Sequence, residues 1–259
     1  MSEPPVLYAR DGHVATITYN RPEKLNAING PLRQALNAAW ERFRDDEEAW
    51  VAILTGAGSA FCVGADLHDG AGAAGTWAGS FWEIPTVNSF ESGMEIWKPT
   101  IAAVNGYCLG YGLTAVSACD FVIAADDAQF GMPEVRLGSP TIVGAMRLPA
   151  RVGMQPALEL LLTGDRIDAA RAKEIGLAGW VVPREELLAE ARRLADRLCQ
   201  GAPLAVRAVN EVAHRAQTLP WVDAVRMGET MRRVVLATDD AAEGMAAARE
   251  GRPPEWTGR

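Results

Sequence analysis

The stretch AVNGYCLGYGLTAVSACD, residues 103–120, sets Gly106, Gly110 and Gly112 between an apolar run that reads as a strand and an apolar run that reads as a helix. Its first half, within IAAVNG at 101–106, echoes VAILTG at 51–56, and FVIAAD at 121–126 gives a third version without the glycine. Short apolar runs of this length, separated by helical periodicity, predict buried strands of an α/β fold with crossover connections. Upstream, VLYARDGHVATITYN alternates around Asp11-Gly12 as a β-hairpin does. Pro31 then sits where a helix can begin, and Leu32, Ala35, Leu36, Ala39, Trp40 and Phe43 recur at helical spacing. Downstream of about residue 140 helical patterns dominate, over 156–162, 168–175, 185–198, 203–216 and 221–236, with the strand-like WVVP at 180–183 between them. This last third predicts a helical layer whose apolar faces need a partner, either the core or another subunit.

The 259 residues, 49% hydrophobic and 22% charged, can build a large core and give no sign of disorder. The net charge of −8 argues against a nucleic-acid partner, because no basic field covers the chain. No apolar run approaches the roughly 20 residues of a bilayer span. MSEPPVLYAR lacks the pattern of a secretory leader, so a cytoplasmic protein with no membrane partner is expected. Cys62, Cys108, Cys119 and Cys199 stand in apolar surroundings without CxxC spacing, which predicts reduced thiols rather than disulfides or zinc. His13, His68 and His214 have no acid at ligand spacing, and no metal is expected. The Gly/Ala/Ser-rich segment 69–80 reads as a surface loop, either a lid or a plain linker.

Two segments share one logic: LTGAGSAFCVGADL at 54–67 and AVNGYCLGYGL at 103–113. Each ends a strand at glycine, passes through an irregular link, and reaches a second glycine before a short element. Two readings stand for them. One is tight turns with close backbone packing. The other is a pair of unpaired N–H groups at adjacent strand ends, which would hold negative charge on an oxygen. A phosphate loop and a GxSxG nucleophile elbow are both absent from the sequence, which argues against a serine hydrolase. In QFGMPEVRLG, Glu134 lies among apolar residues, where desolvation would raise its pKa toward neutrality. The alternatives are a surface glutamate or one neutralised by Arg136. The acidic positions 45–48 and Asp239-Asp240 read as solvated helix ends.

Taken in order, NRPEKLNAIN, LTGAGSAFCVGADL, KPTIAAVNGYCLGYGL, AQFGMPEVRLG, LLTGDRIDAARAKEIGLAGWVV and DDAAEGMAAAREGRPPEW resemble the crotonase superfamily of enoyl-CoA hydratases and isomerases over almost the whole chain. The portion from APLAVRAVNEV to WTGR is similar to carnitinyl-CoA dehydratases. The resemblance implies a spiral of ββα units over residues 1–197 and a helical oligomerisation region over 198–259, assembling as a trimer or as a hexamer made of two trimers. It implies an acyl-CoA thioester as substrate, in fatty-acid type metabolism, with no cofactor other than the CoA that the substrate carries. The positions matching the two oxyanion donors are Ala65 and Tyr111, flanked by Gly64 and Gly110; tyrosine replaces the usual glycine, so its phenol is expected to shape the acyl pocket. Lys24, Leu25, Ala27, Asp66 and Leu67 match the CoA-binding surface, and His68 stands where a phosphate-contacting lysine is common.

The resemblance also exposes departures. Hydratases of the family use two glutamates; the second is Glu134, but Thr114 replaces the first. One carboxylate moves a proton between two carbons more readily than it orients water, so isomerisation gains over hydration, with lyase chemistry as the competitor. Thr141 and Ile142 make one pocket wall bulkier than usual and shift acyl selectivity. The alternative from another class is a non-catalytic acyl-CoA-binding or scaffold protein of the same fold.

Overall fold

The computed structural model describes residues 3–68 and 89–259, so the segment 69–80 lies outside the described residues. Strands β1 (Val6–Asp11) and β2 (Val14–Tyr19) form the expected antiparallel hairpin, with Gly12 at φ +58° in the turn. Helix α1 (Gly30–Asp45) starts where the Asn29 side chain accepts the Leu32 N–H at 3.0 Å, and it buries Leu32, Leu36, Ala39, Trp40 and Phe43. That stripe carries the i, i+4 spacing seen in the sequence.

From here the chain repeats one manoeuvre. β3 (Val51–Gly56) hands over to β4 (Ala60–Cys62), β5 (Thr100–Val104) to β6 (Tyr107–Leu109), and β7 (Phe121–Ala125) to β8 (Gln129–Gly131). The longer strands join a six-stranded sheet ordered β1-β2-β3-β5-β7-β10, parallel from β2 onward and closed by β10 (Trp180–Val182). The shorter ones build a second sheet, β4-β6-β8 in parallel, to which β9 (Arg166–Asp168) adds antiparallel. Every residue of β5 is buried, as a parallel strand covered on both faces requires. The result is the spiral of ββα turns that the resemblance implied.

The second sheet is invisible to periodicity, because three-residue strands cannot display an alternation. Helix α2 (Tyr111–Ala118) follows β6, and α3 (Ile142–Val152), which the sequence pattern does not announce, packs on it. α3 buries Gly144, Leu148 and Val152 at i, i+4 spacing, but the internal Pro149 reads as a helix breaker in the sequence. Next come α4 (Met154–Thr163), α5 (Ala169–Glu174) and α6 (Leu187–Leu198), the last lying on the large sheet through Leu187, Ala191, Leu194 and Ala195.

The helices α7 (Pro203–Arg215) and α8 (Trp221–Leu236) pair with each other but bury only Pro203 and Ala224, leaving Val209, Trp221, Val222 and Val234 exposed. One reading needs correction at the start of α9 (Asp239–Glu250): Asp240 is not a solvated helix end. It is 2% exposed and accepts hydrogen bonds from the Thr257 and Gly258 N–H groups at 2.7 and 2.9 Å, clasping the last residues to the helix. Among the described residues no helix is long and apolar enough to cross a membrane.

Candidate active site

Because β4 and β6 run side by side in the same direction, the peptides that follow them also lie side by side. A Cβ placed on Gly64 would sit 3.3 Å from the Leu109 carbonyl oxygen and 3.6 Å from the Tyr111 nitrogen, and Gly64 takes φ +97°. Ala65 forms a parallel bridge with Ile28. The Ile28 N–H donates to the Gly64 oxygen at 2.8 Å and the Asp66 N–H to the Ile28 oxygen at 2.9 Å. In such a bridge the flanking peptides make both bonds, so the N–H of Ala65 points to the opposite side. Tyr111 opens α2, and its N–H precedes the first helical bond, which Thr114 donates to the Gly110 oxygen at 3.0 Å. Two main-chain N–H groups with no hydrogen-bond partner among the described residues therefore stand at adjoining strand ends.

The third strand of the small sheet brings the carboxylate. β8 pairs with β6, the Gly110 N–H donates to the Gly131 oxygen at 2.9 Å, and the following 3-10 turn, Pro133–Leu137, carries Glu134 back over Gly110. A Cβ on Gly110 would lie 2.8 Å from Glu134 Oε1. Glu134 Oε2 is enclosed and makes no hydrogen bond among the described residues. Burial raises the Glu134 pKa, and its own N–H offsets this only in part. Arg136 does not neutralise it: the guanidinium turns away, donating from Nε to the Thr163 oxygen at 2.8 Å and pairing with Asp165 at 2.5 Å.

Thr114 sits one turn into α2, 4% exposed, with its hydroxyl donating back to the Gly110 carbonyl oxygen at 3.3 Å. Gly144 of α3 closes on it, since a Cβ there would lie 3.1 Å from Thr114 Oγ1 and 2.9 Å from Thr141 Oγ1. Ile142, expected in the same wall, opens α3 with 57% of its surface exposed. Burial pushes the Cys62 thiol up to about 12, so this sulfur near the donors stays protonated and is no nucleophile.

On the other side of the bridge, Lys24, Leu25 and Leu67 are exposed, whereas Ala27 and Asp66 are buried. Three residues that the sequence reading passed over hold this surface together. Arg21 donates to the Ala27 oxygen at 2.6 Å and pairs with Asp66 at 3.2 Å, tying the two loops. The His68 N–H and then Arg21 hold the Asp66 carboxyl below its ordinary range. Asn26, fully buried, accepts the Arg21 N–H at 2.9 Å and donates to the Ala57 and Ala60 oxygens at 2.9 and 2.8 Å. Asn105 donates to the Gly56 and Gly58 oxygens from the opposite side at 2.8 and 3.0 Å. The available signal was a polar amide inside each apolar motif, where an Asn without structural work is disfavoured.

Asn26 also takes φ +58°, a left-handed conformation that Asn tolerates and Ala resists. Asn26→Ala is expected to lower folding stability by about 3 kcal/mol, from orphaned carbonyls and backbone strain together. Denaturant titration checks this as a shift of the midpoint with little change of slope.

A model of the family described as enoyl-CoA hydratase/isomerase matches residues 9–259. The chain is 38% identical over 258 residues to a probable enoyl-CoA hydratase, echA8, of Mycobacterium bovis, covering 98% of each chain. It is 38% identical over 261 residues to the carnitinyl-CoA dehydratase of Proteus mirabilis, covering 96% of each. The crystal structure of an enoyl-CoA hydratase from Mycobacterium tuberculosis superimposes with a TM-score of 0.91 at 34% identity, over 99% of this chain and 100% of that one.

Proposed function

The chain belongs to the enoyl-CoA hydratase/isomerase family, and from that premise we propose that it shifts a double bond along an acyl-CoA thioester, with Glu134 as its single acid/base. Ala65 and Tyr111 are the donors of the oxyanion hole. When Glu134 takes a proton from the carbon next to the thioester, the electron pair moves into the carbonyl and charge develops on its oxygen. The two N–H groups meet that charge, and losing one would cost about 3 kcal/mol of transition-state stabilisation. Glu134 then returns the proton to the far carbon of the dienolate, so that atoms and charge balance without water. The observation that carries this reading is the enclosed Glu134 carboxylate poised over Gly110, its Oε2 without a hydrogen-bond partner among the described residues.

Thr114 supports isomerisation over hydration, because its proton is already committed to the Gly110 oxygen and a neutral hydroxyl cannot serve as a second carboxylate. Lys24, Leu25, Ala27, Gly64, Asp66 and Leu67 form the surface for the CoA portion. The reaction needs no further cofactor in this reading. Residues 1–197 form the catalytic spiral and 198–259 the oligomerisation region, and the exposed apolar faces of α7 and α8 support a trimer or a pair of trimers. Buried free thiols at Cys62, Cys108 and Cys119 support a cytoplasmic setting.

Mass spectrometry after incubation in heavy water with short, medium and branched enoyl-CoA thioesters tests the reaction. A moved double bond, or deuterium entering at the α or γ carbon with no mass gain of water, is the expected result. A gain of one water would establish hydration, with Thr114 assisting through solvent. No change in any thioester that demonstrably binds would turn the reading to a non-catalytic acyl-CoA-binding scaffold.

A further inference from the structure

The strands that lead to Ala65 and Tyr111 hold each other weakly. β6 and β8 pair in unbroken register over three residues, from Tyr107 with Gln129 to Leu109 with Gly131. β4 and β6 match only at Ala60 with Tyr107 and at Cys62 with Cys108, and the register shifts between the two pairs. A ladder so short and already irregular does not define its own register, and a slip of one residue would carry the peptides after β4 about 3.3 Å along the strand. The bridge to Ile28 ties Ala65 to the first loop rather than to β6. The spacing of the Ala65 and Tyr111 N–H groups therefore needs a restraint from outside the small sheet.

Asn105 supplies one. It is 8% exposed and stands in the two-residue link between β5 and β6. Its side chain spans the turn that joins β3 to β4. Oδ1 accepts the Gly56 N–H at 3.3 Å, and Nδ2 donates to the Gly56, Gly58 and Ala60 oxygens at 2.8, 3.0 and 3.4 Å. The Ala60 oxygen opens β4 and also accepts Asn26 Nδ2 at 2.8 Å, so two amides grip the first carbonyl of that strand. Gly106 nests against the same turn, where a Cβ would meet the Ser59 oxygen at 2.1 Å. The Gly106 oxygen in turn accepts the Gln129 N–H at 3.3 Å, at the start of β8. One short link thus touches the origins of the strands that lead to Ala65, Tyr111 and Glu134. Packing alone does not call for an amide here: a leucine would fill the space and leave the turn carbonyls without this donor.

We propose that Asn105 is a positioning residue for the reaction: by holding the β3–β4 turn against the start of β6, it sets the spacing of the two main-chain donors that receive the thioester oxygen. This deepens the proposed function, rests on its oxyanion hole, and adds a residue that acts through the backbone. Such donors must lie at hydrogen-bond distance from the oxygen as its charge develops. A brace on their spacing therefore acts on the transition state more than on binding of the thioester.

The test reads the carbonyl stretch of butyryl-CoA, labelled with carbon-13 at the thioester carbon, by infrared difference spectroscopy on the full chain. Butyryl-CoA has no double bond to move, so the spectrum reports donor geometry without turnover. In the parent, binding shifts the stretch to lower frequency. Asn105→Ala is expected to lose about half of that shift or more, while the dissociation constant stays within about threefold. Asn105→Ser, whose hydroxyl keeps one bond to the turn, falls between, and it carries the comparison where Asn105→Ala does not fold. With the preferred enoyl-CoA, kcat falls about tenfold or more in Asn105→Ala and KM changes little. Asp240→Ala, which removes buried hydrogen bonds at the distant clasp, lowers the unfolding midpoint and leaves the stretch where the parent has it. A shift that persists in full in both Asn105 variants overturns the proposal and leaves the oxyanion hole standing. An equal loss in Asp240→Ala overturns it too, by assigning the effect to stability. Absence of binding, or of any shift, in the parent removes the oxyanion hole itself and this proposal with it.

Discussion

Replacing Glu134 by Gln lowers kcat/KM for the preferred enoyl-CoA by about a thousandfold, while affinity for the thioester stays within a few-fold of the parent. The substitution keeps the size and polarity of the side chain and removes only its ability to hold and release a proton. It also has a stability signature with a definite sign. Burial raises the folded-state pKa of Glu134 above the unfolded value, so the native state binds the proton more tightly. Stability then falls as pH rises from the unfolded pKa through the raised folded pKa, and above it the ionised carboxylate is a net destabiliser. Glu134→Gln should therefore melt at or above the parent temperature at neutral pH, with the difference vanishing in acid. In the parent, the acid limb of the kcat/KM profile should lie above the usual glutamate range, since the base form is gained only past the raised pKa. Melting curves across pH and a pH–rate profile check both; a variant less stable than the parent at neutral pH would mean that Glu134 is not the desolvated carboxylate described.

The second large effect comes from adding a single methyl group. Gly110 takes φ +54° and ψ −119°, a conformation that residues with a Cβ resist. In Gly110→Ala the new Cβ would also stand 2.8 Å from Glu134 Oε1. The carboxylate is the movable end of a flexible chain, so it is the group that swings aside, while relief of the backbone strain rotates the peptide carrying the Tyr111 N–H. Both displacements strike the chemistry, and misplacements of about 1 Å cost about a hundredfold each. A loss of three orders of magnitude or more in kcat/KM is expected, with a folded protein by circular dichroism. Gly12→Ala supplies the comparison: Gly12 has φ +58° but open space around it, so strain alone acts there. Equal losses of activity in the two variants would assign the effect of Gly110→Ala to stability rather than to geometry.

Legibility in the sequence follows the length of the pattern. The six-residue β1, β2 and β3, and helices such as α1 and α8, carry enough periods to be read directly. The three-residue β4, β6 and β8 carry none, yet they bring Ala65, Tyr111 and Glu134 to one place. Their pairing is a tertiary fact, set by which long strand precedes each. The candidate site was legible only where a glycine pattern coincided with the family resemblance. Asn26, Arg21 and Asp240 escaped because a buried polar residue is told from a surface one by its partners, and those partners lie far off in sequence, as Ala60, Asp66 and Thr257 do.

The Ile28–Ala65 bridge joins two things that chemistry could have kept apart. Ala65 is gripped on both flanks by Ile28, the residue next to the Lys24–Ala27 loop, and Arg21 bolts that loop to Asp66. In the proposed function, ordering of this loop by the nucleotide end of a thioester also fixes the Ala65 N–H that would face the carbonyl oxygen. The carrier becomes a key as well as a handle, since engaging it adjusts the very donor on which the barrier depends. On that proposal the acyl pocket can change without retuning one oxyanion donor, because the setting of that donor is read from the part of the cargo that never varies.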